Sequence, residues 1–321
     1  MTIDVFCHVL PGKYVTAMQA LVDRGRIPPF NDFFLGEIRV PGISDMDERF
    51  SLMDGSPETR QVLSLTGPFL ETIAGSDDAA SLARMANDEV ARLVDKYPDR
   101  FAAGVATLPL NNIEAALIEI DRAIDDLGLK GVQIGTDVNG RPLDSSEMMP
   151  LYEKMAARDL PVFVHPSRNR FGPDYPGEED SKYNLFSVIG WPHSTSMAML
   201  RLAHGGVLER FPGIKFITHH AGGTIPYLAK RIEGLDRGEL PRPIGDYLRR
   251  FFGDTAVQGN TANLMCALAF FGADHLLFGT DFPFNRNISA TLRAIDEMRV
   301  TDDERQLIWK GNATSLLKLP G

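Results

Sequence analysis

Short runs rich in Val, Ile and Phe recur along the chain and are separated by longer stretches with helical spacing. The runs predict strands at 2–8, 60–65, 101–107, 130–135, 161–165, 214–220, 251–256 and 275–281. Most are apolar on both faces, as strands of a parallel sheet covered by helices must be. Between them, amphipathic patterns predict helices at 78–97, 113–127, 147–158, 195–210, 225–236, 259–271 and 288–298. About eight strand–helix units in one chain of this length predict a single (β/α)8 TIM barrel, an α/β fold spanning 1–321 as one domain. A doubly wound open sheet is the alternative, but no GxGxxG follows the first strand.

Two segments break the rhythm. Residues 9–59, with "PPFNDFF" and "DERFSLMDGS", are too long for one strand–helix connection. Residues 166–194, "PSRNRFGPDYPGEEDSKYNLFSVIGWPH", read as a Pro/Gly-rich loop after the fifth strand. Both are expected as long loop insertions, after strands 1 and 5, and loops of such length inside compact domains are usually functional. Arg168, Arg170 and Tyr183 make the second a plausible lid. The terminal "TDDERQLIWKGNATSLLKL" predicts an acid-capped helix and a short docking turn.

Composition narrows the class. The 321 residues are 44% hydrophobic and 24% charged, ordinary values for a globular protein with a sizeable core. The net charge of −10 argues against nucleic acid or an anionic membrane as partner. The two cysteines, Cys7 and Cys266, point to a reducing compartment rather than a disulfide framework. No stretch has the roughly 18 apolar residues of a membrane helix, and Asp4 and His8 interrupt the first apolar run, so a cytoplasmic protein is expected.

The strand ends carry the chemistry. His8 closes the first predicted strand in "IDVFCHVLP", His165 the fifth, His219 and His220 the sixth, and Asp281 the eighth. C-terminal strand ends of a barrel converge on one mouth. Imidazoles plus a carboxylate there suit a divalent metal of the Zn2+ or Mn2+ type. Each alone is more often a hydrogen-bonded structural residue; their coincidence in a chain with seven histidines favours a metal. His204 and His275 are read as structural, and His193 stays open.

At these residues the sequence resembles the amidohydrolase-2 branch of the metal-dependent hydrolases, in particular its semialdehyde and aromatic-acid decarboxylases. The likeness runs through "YPDRFAAGVATLPL", "LGLKGVQIGTDVNGRPLD", "LPVFVHPS", "GGVLERFPGIKFITHHAGGTIPYLAKRIEGLD" and "LLFGTDFPF". It implies His8, His165 and Asp281 as metal ligands, His220 as catalytic histidine, and Asp281 as ligand and proton relay. It also implies Arg49 and Arg231 as holders of a substrate carboxylate, Arg231 acting from a neighbouring subunit of a homodimer or homotetramer. His219 has no counterpart and is expected to face the helices. The resemblance implies a further ligand two residues before His8, His or Glu, on the same strand face. This chain has Phe6 there, which cannot ligate a metal and is expected against the substrate. Three protein ligands still suffice for a catalytic metal. The expected activity is non-oxidative decarboxylation of an aromatic or unsaturated cyclic acid. The alternatives are metal-dependent hydrolysis of a lactone, amide or C–C bond, and a metal-free binding protein marked by Phe6.

Overall fold

The computed structural model describes residues 1–320. Nine parallel strands follow the predicted order: β1 (Thr2–Val9), β2 (Thr59–Leu65), β3 (Phe101–Gly104), β4 (Ala106–Thr107), β5 (Val132–Gly135), β6 (Val162–His165), β7 (Phe216–Thr218), β8 (Phe252–Asp254) and β9 (Leu276–Leu277). They pair in sequence as two ladders, β1-β2-β3 and β4 through β9. The single stretch predicted at 101–107 is divided at Val105, whose N–H turns to Leu63 O while Ala106 N–H bonds Gly131 O. The first and last strands also meet: Val5 N–H donates to Phe278 O and Asp281 N–H to Phe6 O. This is an α/β fold of parallel sheets, consistent with an amidohydrolase-type TIM barrel.

The insides of the strands fill their own core. Phe6, Val62, Ala103, Phe163, Ile217 and Leu277 pack together, and Ala313, Leu316 and Leu317 of the C-terminal segment close one end. Helices such as Ser76–Lys96 and Gly190–His204 bury their apolar faces against the outside. The C-terminal helix begins with the predicted acidic cap, a reciprocal Thr301–Glu304 capping box.

Neither interrupting segment is wholly loop. Between β1 and β2 lie three helices, α1 (Gly12–Asp23), α2 (Asp32–Ile38) and α3 (Met46–Met53). Asn31 and Asp45 cap the last two by accepting from Phe34 N and Glu48 N. After β6, residues 185–188 and 190–194 are already helical. Ahead of them the loop is pinned by Asp174, which accepts from Arg168, Ser181 and Lys182 N.

Candidate active site

Four imidazoles and two carboxylates meet where β1, β6, β7 and β8 end and the chain passes β9. His8 and His165 are edge-to-face with ring centroids 4.9 Å apart. One ligand atom each of His8, His165 and His219 lies within 4.8 Å of the others, and the same holds for His219, His220 and Asp281. Asp281 Oδ1 stands 3.2 Å from His8 Nε2 and 3.4 Å from His219 Nε2.

Three of the four rings are held from behind. His8 Nδ1 pairs with Ser64 Oγ at 3.3 Å, His165 Nδ1 bonds Pro166 O at 2.9 Å, and His219 Nδ1 pairs with Asp254 Oδ2. Such partners fix the tautomer and aim the other nitrogen forward. Nε2 of His8 and of His219 are fully buried with no hydrogen-bond partner. Buried nitrogens without partners are rare unless something else completes them. Imidazole nitrogens around one carboxylate are a fitting donor set for a divalent ion of the Mn2+ or Zn2+ type.

The electrostatics follow from burial and charge. Burial lowers the basicity of His8 and, more strongly, His165. Burial also opposes charge on His219, but Asp254 and Asp281 outweigh it and raise the ring to about 10. His220, buried and beside His219, falls to about 4. Burial works against an ionised Asp281, yet the close approach and charge of His219 and His8 prevail and hold it below the usual carboxylate range.

His219 is the main departure from expectation: it faces the site, not the helices. Strand alternation places it on the face of Ile217, which lies in the strand-lined core beside Phe6. His220 reaches the same side by another route. The backbone turns left-handed there, with φ of 56° at His220 and 54° at Ala221, so alternation ends and both neighbours converge. The doublet "HH" followed by "AGG" was the only trace of this in the sequence.

Other expected residues are placed as follows. Phe6 is completely buried below the site, stacked on His219 with centroids 4.3 Å apart and edge-on to Phe163 at 5.3 Å. It lines neither cavity at the site. Arg49 is fully buried on α3, where its guanidinium donates to Gln61 Oε1, His8 O and Gly42 O. It does not reach the cavity. Arg231 is exposed on the helix Ile225–Gly234, outside both cavities. His193 and His204 are exposed, and His275 stacks on Phe252.

A cavity of about 330 Å³ opens over His165 and Asp281, walled by Phe33, Phe34, Phe69, Trp191 and Phe284. Arg168 lines it while paired to Asp174 at 2.9 Å. Glu37, from α2, was not anticipated. Its Oε2 is buried without a partner, and burial, then the charge of Asp281, pushes its carboxyl up to about 7. A second cavity, about 710 Å³, meets the site from the side of His220 and Tyr227.

Strand order and a histidine–carboxylate cluster at the strand ends define the class, and the family model described as amidohydrolase matches residues 3–319. The chain belongs to that family. Among its curated relatives is a gamma-resorcylate decarboxylase of Polaromonas sp., 32% identical over 96% of this chain and 97% of the relative. A 2-amino-3-carboxymuconate-6-semialdehyde decarboxylase of Dictyostelium discoideum is 31% identical over 86% of this chain and 77% of its own length. A dihydroxybenzoic acid decarboxylase structure from Polaromonas, with bound manganese and 2-nitroresorcinol, superimposes with a TM-score of 0.80, at 28% identity, over 99% of this chain and 96% of that one. These relatives are thus named as decarboxylases, of aromatic acids in the two Polaromonas cases. Among the described residues no helix is long and apolar enough to cross a membrane.

Proposed function

We propose that this protein is a metal-dependent, non-oxidative decarboxylase of an aromatic acid carrying a hydroxyl ortho to the carboxylate. The two sheets form one (β/α)8 barrel in this reading, and His8, His165 and Asp281 hold a single divalent ion, Mn2+ or Zn2+. The observation that supports it is the cluster of ligand-type side chains at the strand ends, His8, His165 and His219 in one group and His219, His220 and Asp281 in another, with His165 and Asp281 lining an aromatic-walled cavity. The ion supplies positive charge that orients the carboxylate and phenol oxygens and stabilises developing negative charge.

The chain's own residues supply position and protons. Phe33, Phe69, Trp191 and Phe284 exclude water and sandwich a planar ring. Asp281, ionised in the free enzyme, takes the proton of the ortho hydroxyl and passes it to the ring carbon bearing the carboxylate. The bond to carbon dioxide then breaks, and its electron pair returns to the ring. Carbon dioxide and a phenolate leave, and the phenolate recovers a proton through His220, which lines the second cavity and whose buried Nδ1 has no hydrogen-bond partner. Arg231, exposed beside Tyr227, serves the site of a neighbouring copy in a homo-oligomer.

The test is a panel of ortho-hydroxybenzoates, with carbon dioxide release and phenol formation followed together. Equimolar release that ceases on chelation and returns with Mn2+ is expected. Hydrolysis of lactones or amides without carbon dioxide from any acid would overturn the assignment.

A further inference from the structure

Resting on the metal-site reading above, we propose that His219 is itself a ligand of the ion and supplies the donor that Phe6 cannot. Phe6 and His8 share one face of β1, so a ligating side chain at position 6 would project beside His8. Phenylalanine projects there instead, and its ring carries the imidazole of His219 stacked on it at 4.3 Å and 26°. The aromatic ring is therefore a shelf. It fills the space beneath the site and supports, from the neighbouring part of the mouth, a nitrogen donor that it cannot provide itself.

The orientation of His219 is fixed from the other side by Asp254. Its Oδ2 takes His219 Nδ1, while Oδ1 accepts Ala221 N and Ala256 N, each at 3.1 Å. With both oxygens engaged, the carboxylate cannot swing away, and it keeps Nδ1 as the donor, so that Nε2 is the nitrogen that faces the centre and would bind an ion in place of its proton. That nitrogen is buried, lacks a hydrogen-bond partner, and lies 3.4 Å from the Asp281 oxygen that His8 approaches to 3.2 Å. His219, His8 and His165 also offer ligand atoms within 4.8 Å of each other. A carboxylate–imidazole pair aimed at a cluster of other metal donors is how proteins hold a ligating histidine. A plain core ion pair would not need its second nitrogen to face two further imidazoles.

The test uses the full-length protein, stripped with chelator and reloaded with Co2+ or Mn2+. X-ray absorption of the Co2+ form of the wild type should count three imidazoles rather than two. His219→Gln should weaken Mn2+, measured by competition with a chelating dye, by at least 10- to 100-fold and alter the Co2+ visible spectrum. Asp254→Asn, which keeps the ring but loosens its aim, should weaken Mn2+ within that range. Phe6→His placed in the His219→Gln background should restore part of the affinity. Circular dichroism of the stripped proteins separates a folding defect from a lost ligand, and the wild-type imidazole count stands even where a variant fails to fold. Two imidazoles in the wild type, or unchanged Mn2+ affinity and Co2+ spectrum in a folded His219→Gln, overturns the assignment of His219 alone. A wild type that binds neither ion overturns the metal-site reading, and this assignment with it.

Discussion

Arg49 offers a decisive experiment, because a substrate-holding role and a structural role predict opposite results. Its guanidinium gives three hydrogen bonds of 2.8, 2.8 and 3.0 Å, to Gln61 Oε1, His8 O and Gly42 O, and lies 4.8 Å from the ring centre of Phe282. It thereby ties the end of β1, including the backbone of His8, to α3 and the turn before it. Arg49→Met removes the donors and leaves buried acceptors unpaired, at roughly 1–3 kcal/mol each, or about 5 kcal/mol together. Loss of the contact with Phe282 adds about 1 kcal/mol. Burial of the charge, which pushes this arginine down to about 10, offsets roughly 3 kcal/mol of that sum. A net loss of about 3 kcal/mol is expected for Arg49→Met, and about 5 kcal/mol for Arg49→Ala, which also opens a cavity. Urea unfolding of the chelator-stripped protein measures both, and Mn2+ affinity should fall in parallel as His8 loses its anchor. An Arg49→Met protein of wild-type stability, with KM raised for acids and not for neutral analogues, would refute this account.

Glu37 faces the cavity with its carboxyl at about 7, so it is neutral in acid and charged above that pH. The folded value lies above the ordinary 4.5, so its stabilising contribution is complete below about 4.5 and lost as pH rises through about 7. Glu37→Gln should raise stability at pH 8 by about 1–3 kcal/mol and flatten the expected rise of KM for acidic substrates above pH 7, as steady-state pH profiles will show. Gly223 has φ of 64°, and a Cβ there would come within 2.3 Å of Pro192 O and 2.6 Å of Ser196 Oγ. Gly223→Ala should therefore displace the His220 turn, lowering Tm and reducing kcat more than 10-fold, whereas Gly234→Ala, in open space, should do neither. Chelation should abolish activity and lower Tm, and Mn2+ at 100 times its Kd should restore about 2.7 kcal/mol of stability, readable by calorimetry.

The alternation of apolar strands and amphipathic helices determined the parallel α/β architecture and the order of its elements. Strand-end positions marked His8, His165, the His219–His220 pair and Asp281 alike, because the ends of parallel strands in such a fold converge, and only the family resemblance singled out His8, His165 and Asp281. Distance relations across the mouth were decided only in three dimensions. Nothing local to "DERFSLMD" distinguishes an arginine facing a ligand from one locked behind β1, since both need the same cation on the same helix. Glu37 reads as an ordinary polar residue of a short helix until α2 is seen to lean over the cavity. The parity of the His219–His220 doublet likewise depended on a left-handed turn, a backbone state that periodicity cannot register. The sequence supplies the kinds of donor, through residue identity and strand period. Which of them share a centre depends on long-range packing, where one φ sign or one aromatic ring redirects a side chain by several ångströms.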